Sequence, residues 1–153
     1  LLLAPAPKDG EARAPAGIAR SPARLGVKGG AATQAVYRSA DELAKALTAT
    51  DAGKASEAAA LALKVKEIDW KTQMIVVVSA GTKRSGGFSV EVTGLEFNKE
   101  KELVVRWKLN APAPNQPVTQ ALTHPAQTIL VERFEGKILF DPPPPKADIR
   151  LPN

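Results

Sequence analysis

One run, Met74-Ile75-Val76-Val77-Val78, restricts this chain more than any other. Four of its five side chains are β-branched, and such side chains are stiff in a helix and pack well on a pleated surface. The run is apolar on both faces, so the strand it predicts must be covered above and below. A polar, glycine-rich turn follows, Gly81-Thr82-Lys83-Arg84-Ser85-Gly86-Gly87. The next segment, Phe88-Ser89-Val90-Glu91-Val92, alternates residue by residue and predicts a strand with one wet face. Leu95 and Phe97 resume the apolar set one residue out of phase, which would turn them to solvent. A bulge at Thr93-Gly94 returns them to the core. Residues 73–97 therefore read as a hairpin-like unit around which the rest is organised.

The flanking segments are read from period and punctuation. Ala35-Val36-Tyr37-Arg38 suits a short strand, and Ser39-Ala40-Asp41-Glu42 has the pattern of a capping box. Leu43 and Leu47 lie one turn apart on the helix it opens, and residues 50–53 end that helix. Ser56 is a candidate cap for a second, alanine-rich segment. There Leu61, Val65 and Ile68 have helical spacing, while Leu61, Leu63 and Val65 also alternate. Beyond a turn at 98–101, residues 103–109 alternate as an amphipathic strand, and three prolines mark 110–117 as a loop. Residues 118–123 suit a short strand. Segments 127–134 and 137–140 flank Glu135-Gly136 and predict a tight hairpin. Pro142 to Pro145 favours polyproline II.

The expected fold is α+β, mainly an antiparallel sheet with one or two short helices packed on it. Residues 1–32 are rich in Ala, Pro, Gly and Arg without a structural period, and read as a disordered tail or linker. Residues 33–141 form the β-rich domain, and 142–153 a proline-rich tail. Net charge is +5, of which +3 falls in residues 1–30, so the folded part is nearly balanced. There is no cysteine, which removes disulfides, thiolate chemistry and cysteine zinc sites. No run approaches the ~20 apolar residues that span a bilayer. Leu1-Leu2-Leu3-Ala4 resembles the end of a signal-peptide apolar region, so export to the periplasm or cell surface is expected.

Motifs for chemistry fail one by one. Gly81 and Gly86 have phosphate-loop spacing, but Gly87-Phe88 replaces the Lys-Ser/Thr pair and a strand follows in place of a helix. The only histidine, His124, would need Ser85 or Ser89 and Asp141 to form a triad, and Ser89 lies on no nucleophile elbow. One histidine and no cysteine leave little to hold a transition metal. Lys83, Arg84, Arg106 and Lys108 form a candidate basic patch. Trp107 alternates to the opposite face, toward the core, so no stacking platform accompanies them and no nucleic acid is expected.

Four stretches then occur in a telling order: Ile68-Asp69-Trp70, the aliphatic run to Gly81, the turn ending Gly86-Gly87-Phe88-Ser89-Val90, and Gln120-Ala121-Leu122-Thr123-His124-Pro125. Together they resemble the C-terminal domain of the PrcB-like protease-complex subunits. Phe88 stands where tyrosine is common in that family. The resemblance covers about residues 35–140. It implies a non-catalytic, exported bacterial accessory domain that binds a protein partner, a protease above all, and supports its assembly. It implies no catalytic residues, and the residues themselves point to no cofactor, metal site or membrane span. The threonine-glycine-aromatic turn is also similar, more weakly, to chagasin-type cysteine-protease inhibitors, which makes inhibition an alternative. A nucleic-acid-binding module or an uncharacterised hydrolase are alternatives of other classes. Candidate partner-binding residues are Thr82, Lys83, Arg84, Ser85, Gly86, Gly87, Phe88, Thr123 and His124.

Overall fold

The structure is a computed structural model and describes residues 15–27, 30–49 and 51–143. Its elements, in chain order, are β1 (Gly17–Ser21), β2 (Thr33–Tyr37), α1 (Ala40–Leu47), α2 (Ala52–Leu63), β3 (Gln73–Ser79), β4 (Ser89–Phe97), β5 (Leu103–Asn110), β6 (Ala126–Glu132) and β7 (Ile138–Asp141). They form three layers. A four-stranded sheet, β1-β6-β3-β2, is antiparallel throughout. A three-stranded sheet, β4-β5-β7, pairs β4 with β5 antiparallel and β5 with β7 parallel. The fold is thus α+β with β dominance, as expected.

The central run behaves as its composition requires. Residues 74–79 of β3 are buried. Ile75 and Val77 join the helix-side core with Leu43, Ala59, Leu63 and Leu130. Met74, Val76 and Val78 face the second sheet and meet Val90, Val92, Leu103 and Val105. A strand buried on both faces also needs neighbours on both edges, or its amides go unpaired. β2 and β6 supply them. That requirement overturns the hairpin reading of 73–97: β3 and β4 lie in different sheets, and residues 80–88 cross between layers. The bulge is where the phase slip placed it, between Val92 and Gly94, and Leu95 and Phe97 pack on the inter-sheet core.

The helices close the other face of the larger sheet. Ser39 caps α1 by accepting from the amide of Glu42, while the Glu42 carboxylate reaches back to the amide of Arg38, one residue before the expected Ser39. The helix stops at Thr48, in the left-handed region, earlier than residues 50–53. Asp51 begins α2 by accepting from the amides of Gly53 and Lys54, so Ser56 is not the cap. Ser56 instead accepts the indole N–H of Trp70 at 2.7 Å. Ala55, Ala59, Ala60 and Leu63 form the buried stripe, and Leu61 faces outward, 81% exposed.

Three further expectations are corrected. Gly17–Ser21, read as part of a disordered tail, is strand β1, and the fold starts well before residue 33. Its few apolar side chains suffice because the edge of β6 supplies its hydrogen bonds. The remaining expectations for residues 1–14 and 144–153 lie outside the described residues. Residues 118–123 form no strand, only an isolated bridge at Thr123. The hairpin at Glu135-Gly136 is absent: β6 and β7 separate into different sheets, and β7 runs parallel to β5. Arg38 holds that connection by donating to the carbonyls of Phe134 and Gly136 at 2.9 and 2.8 Å.

Candidate functional site

The topology brings two long connections to one end of the molecule. β3 finishes at Ser79 opposite Ala126, where β6 begins. Residues 80–88 therefore leave the sheet beside residues 111–125, which enter it. The backbone ties them together. Lys83 and Thr123 exchange both amide hydrogen bonds, at 2.8 and 2.9 Å. The amide of Gly86 donates to Thr119 O at 3.0 Å, and that of Ala80 to Pro125 O at 3.1 Å. The Thr123 hydroxyl donates to Ser85 O at 2.7 Å.

The glycines explain how close the approach is. Gly81 has φ +87° and Gly87 φ +89°, a region that disfavours other residues. A side chain on Gly81 would meet backbone atoms of Gly30 and Ala32 at 3.0 Å. One on Gly87 would meet Pro112 and Val118 at 2.8 and 2.9 Å. Thr82 donates its amide to Gly30 O, which joins a third connection, from β1 to β2, to the cluster.

The candidate residues Thr82, Lys83, Arg84, Ser85, Gly86, Gly87, Phe88, Thr123 and His124 thus share one surface. Thr82 Oγ1 and His124 Nδ1 lie 3.1 Å apart, with the tautomer deciding which donates. The Lys83 ammonium sits 5.8 Å from the centre of the Phe88 ring. Arg84, Gly87 and His124 are exposed. Leu122, not among the candidate residues, is 67% exposed beside Thr123, a large apolar side chain on a loop otherwise fixed by hydrogen bonds. Its sequence signal was weak, since a leucine between alanine and threonine reads equally well as core. A cavity of about 500 Å³ flanks the cluster, lined by Phe88, His124, Arg20, Glu91 and Asn110 among others.

Residues considered for chemistry have other partners. His124 bonds to Thr82. The Ser85 hydroxyl donates to the neighbouring Gly86 O, and Ser89 Oγ accepts from Asn110. Asp141 pairs with Arg106 on the smaller sheet. The basic patch is also divided. Arg106 is held by Glu96 and Asp141, and these contacts, the hydrogen bond to Glu96 first, raise its pKa further. Lys108 lies 3.7 Å from Glu91. Lys83 and Arg84 stand apart on the loop. Trp107 is half-buried against the inter-sheet core, with its indole N–H donating to Pro142 O at 2.9 Å. Among the described residues there is no cluster of three or more His, Asp or Glu side chains suited to a metal ion. Nor is any described helix long and apolar enough to cross a membrane.

Residues 74–132 match the family model described as PrcB C-terminal. No curated protein and no solved structure gives a significant match to the chain. The matched span runs from β3 through β6 and includes both tied loops. Over residues 74–132, then, the chain is similar to the PrcB C-terminal family.

Proposed function

We propose that this protein is a non-catalytic, protein-binding accessory domain that associates with an exported protease and supports its assembly or stability. The observation that carries the reading is the tied loop pair, 80–88 with 111–125, inside the span matched to the family. Binding residues concentrate on loops held by a rigid scaffold, and here the scaffold is the buried strand β3 with its partner β6. Pre-tied loops also lose little entropy when a partner orders them. Leu122 supplies an apolar anchor, and Lys83 and Arg84 supply positive charge for an acidic rim on the partner. The serine, histidine and aspartate residues engage other groups, which favours binding over hydrolysis. The family resemblance favours an exported setting.

The two parts of the surface predict different kinetics. The double variant Lys83→Ala/Arg84→Ala is expected to slow association several-fold at low salt, with a smaller effect at high salt. Leu122→Ser is expected to speed dissociation about tenfold or more, as loss of a desolvated anchor does. Surface plasmon resonance against the proposed protease partner, at two salt concentrations, separates these effects. Unchanged rates for both variants would remove this surface from consideration.

A further inference from the structure

The two sheets present edge strands β1 and β4 to one another across a cleft of about 430 Å³. Each edge is irregular at this place. The register shifts between Gly17 and Ala19 in β1 and between Val92 and Gly94 in β4, and the extra residues, Ile18 and Thr93, both line the cleft. Bulges twist an edge out of regular pairing and re-aim its side chains. Ile18 is left 46% exposed, and Leu95 and Ile129 continue the apolar lining. One end is closed: Gln127 Oε1 accepts the Val92 amide at 2.7 Å, and Arg20 Nη1 donates to Val92 O at 3.4 Å. Arg20 is the one charged side chain lining the cleft, and no carboxylate pairs with it among the described residues.

We propose that this cleft binds the extended C-terminal tail of a partner protein, with the terminal carboxylate on Arg20. Three observations select this occupant. Walls made of strand edges fit an extended backbone, which adds main-chain hydrogen bonds to an edge. Ile18, Leu95 and Ile129 favour apolar side chains just before the terminus. The guanidinium at the closed end matches a carboxylate with nowhere further to run, and the planar fork can take both oxygens. An internal acidic residue would require the chain to continue past the Gln127 and Arg20 bridges. Arg20 also lines the cavity beside the tied loops, so the two surfaces meet at this residue.

The test uses the full chain and a phage library of random seven-residue peptides displayed with free C-termini. Enriched tails are synthesised as free acids and as C-terminal amides, and binding is followed by fluorescence anisotropy. The free acid is expected to bind about tenfold tighter than the amide, the scale of a charge-assisted hydrogen bond. Arg20→Gln should abolish that preference without moving the melting temperature, because Arg20 is exposed and makes one long bond. Ile18→Ser should weaken acid and amide alike. No enrichment, equal binding of acid and amide, dependence on an internal acidic residue, or a preference that survives Arg20→Gln would each overturn the proposal.

Discussion

A chain that begins at residue 33 is expected to lose its cooperative fold rather than shed a tail. β1 covers one edge of β6, from Gly17 opposite Val131 to Ser21 opposite Thr128. Without it β6, buried from Thr128 to Val131, becomes an open edge, and such edges recruit other chains. The buried Thr128 hydroxyl loses its acceptor, Ala23 O, at 2.7 Å, and Tyr37 loses Leu25 O at 3.1 Å. Ala19, Leu25 and Val27 leave the helix-side core. Stranded polar groups at ~1–3 kcal/mol each, with the lost apolar burial, approach the whole stability of a small domain. Size-exclusion chromatography and thermal unfolding should show aggregation and no sharp transition. A sharp transition near that of the full chain would contradict this role for β1.

Gly87→Val is the second large effect. A β-branched side chain at φ +89° is strained before any contact is counted, by about 1–3 kcal/mol. The new atoms also drive into Pro112 and Val118 from a backbone that the Gly86 to Thr119 bond holds in place. A drop in melting temperature of about 10 °C is expected, given a few degrees per kcal/mol for a domain of this size. Ser85→Ala serves as the control, since its hydroxyl only donates to the adjacent Gly86 O. That variant should stay within about 1 kcal/mol of the parent. Equal melting temperatures for the two variants would mean that the loops are not locked as described.

The contrast between β3 and β1 shows what can be read from a chain like this. Burial of β3 on both faces follows from side-chain chemistry alone, and so do the phase slip at Gly94 and the cap at Ser39. The meeting of residues 80–88 with Thr123 and His124 was legible because both segments carry the turn and family motifs. β1 was not legible: an edge strand of five residues needs a partner's backbone more than its own apolar period. Pairing across layers was equally hidden. Adjacent strands with a short link read as hairpins, yet β3 and β4 part because β2 and β6 already occupy both edges of β3. Ser56 and Asp51 had similar cap chemistry in sequence, and only the position of Trp70 gives Ser56 another task.

The claim that the tied loops are the partner-binding surface is tested most directly by site-specific cross-linking. A photoreactive residue is placed at Leu122 in one protein and at Leu61 in another. Both side chains are exposed, 67% and 81%, but Leu61 lies on α2 in the helix layer and Leu122 on the loop. Mixed with the exported protease proposed as its partner and irradiated, the Leu122 protein should form a covalent adduct that Lys83→Ala/Arg84→Ala diminishes. The Leu61 protein should form none. An adduct from Leu61 and none from Leu122 would contradict the account.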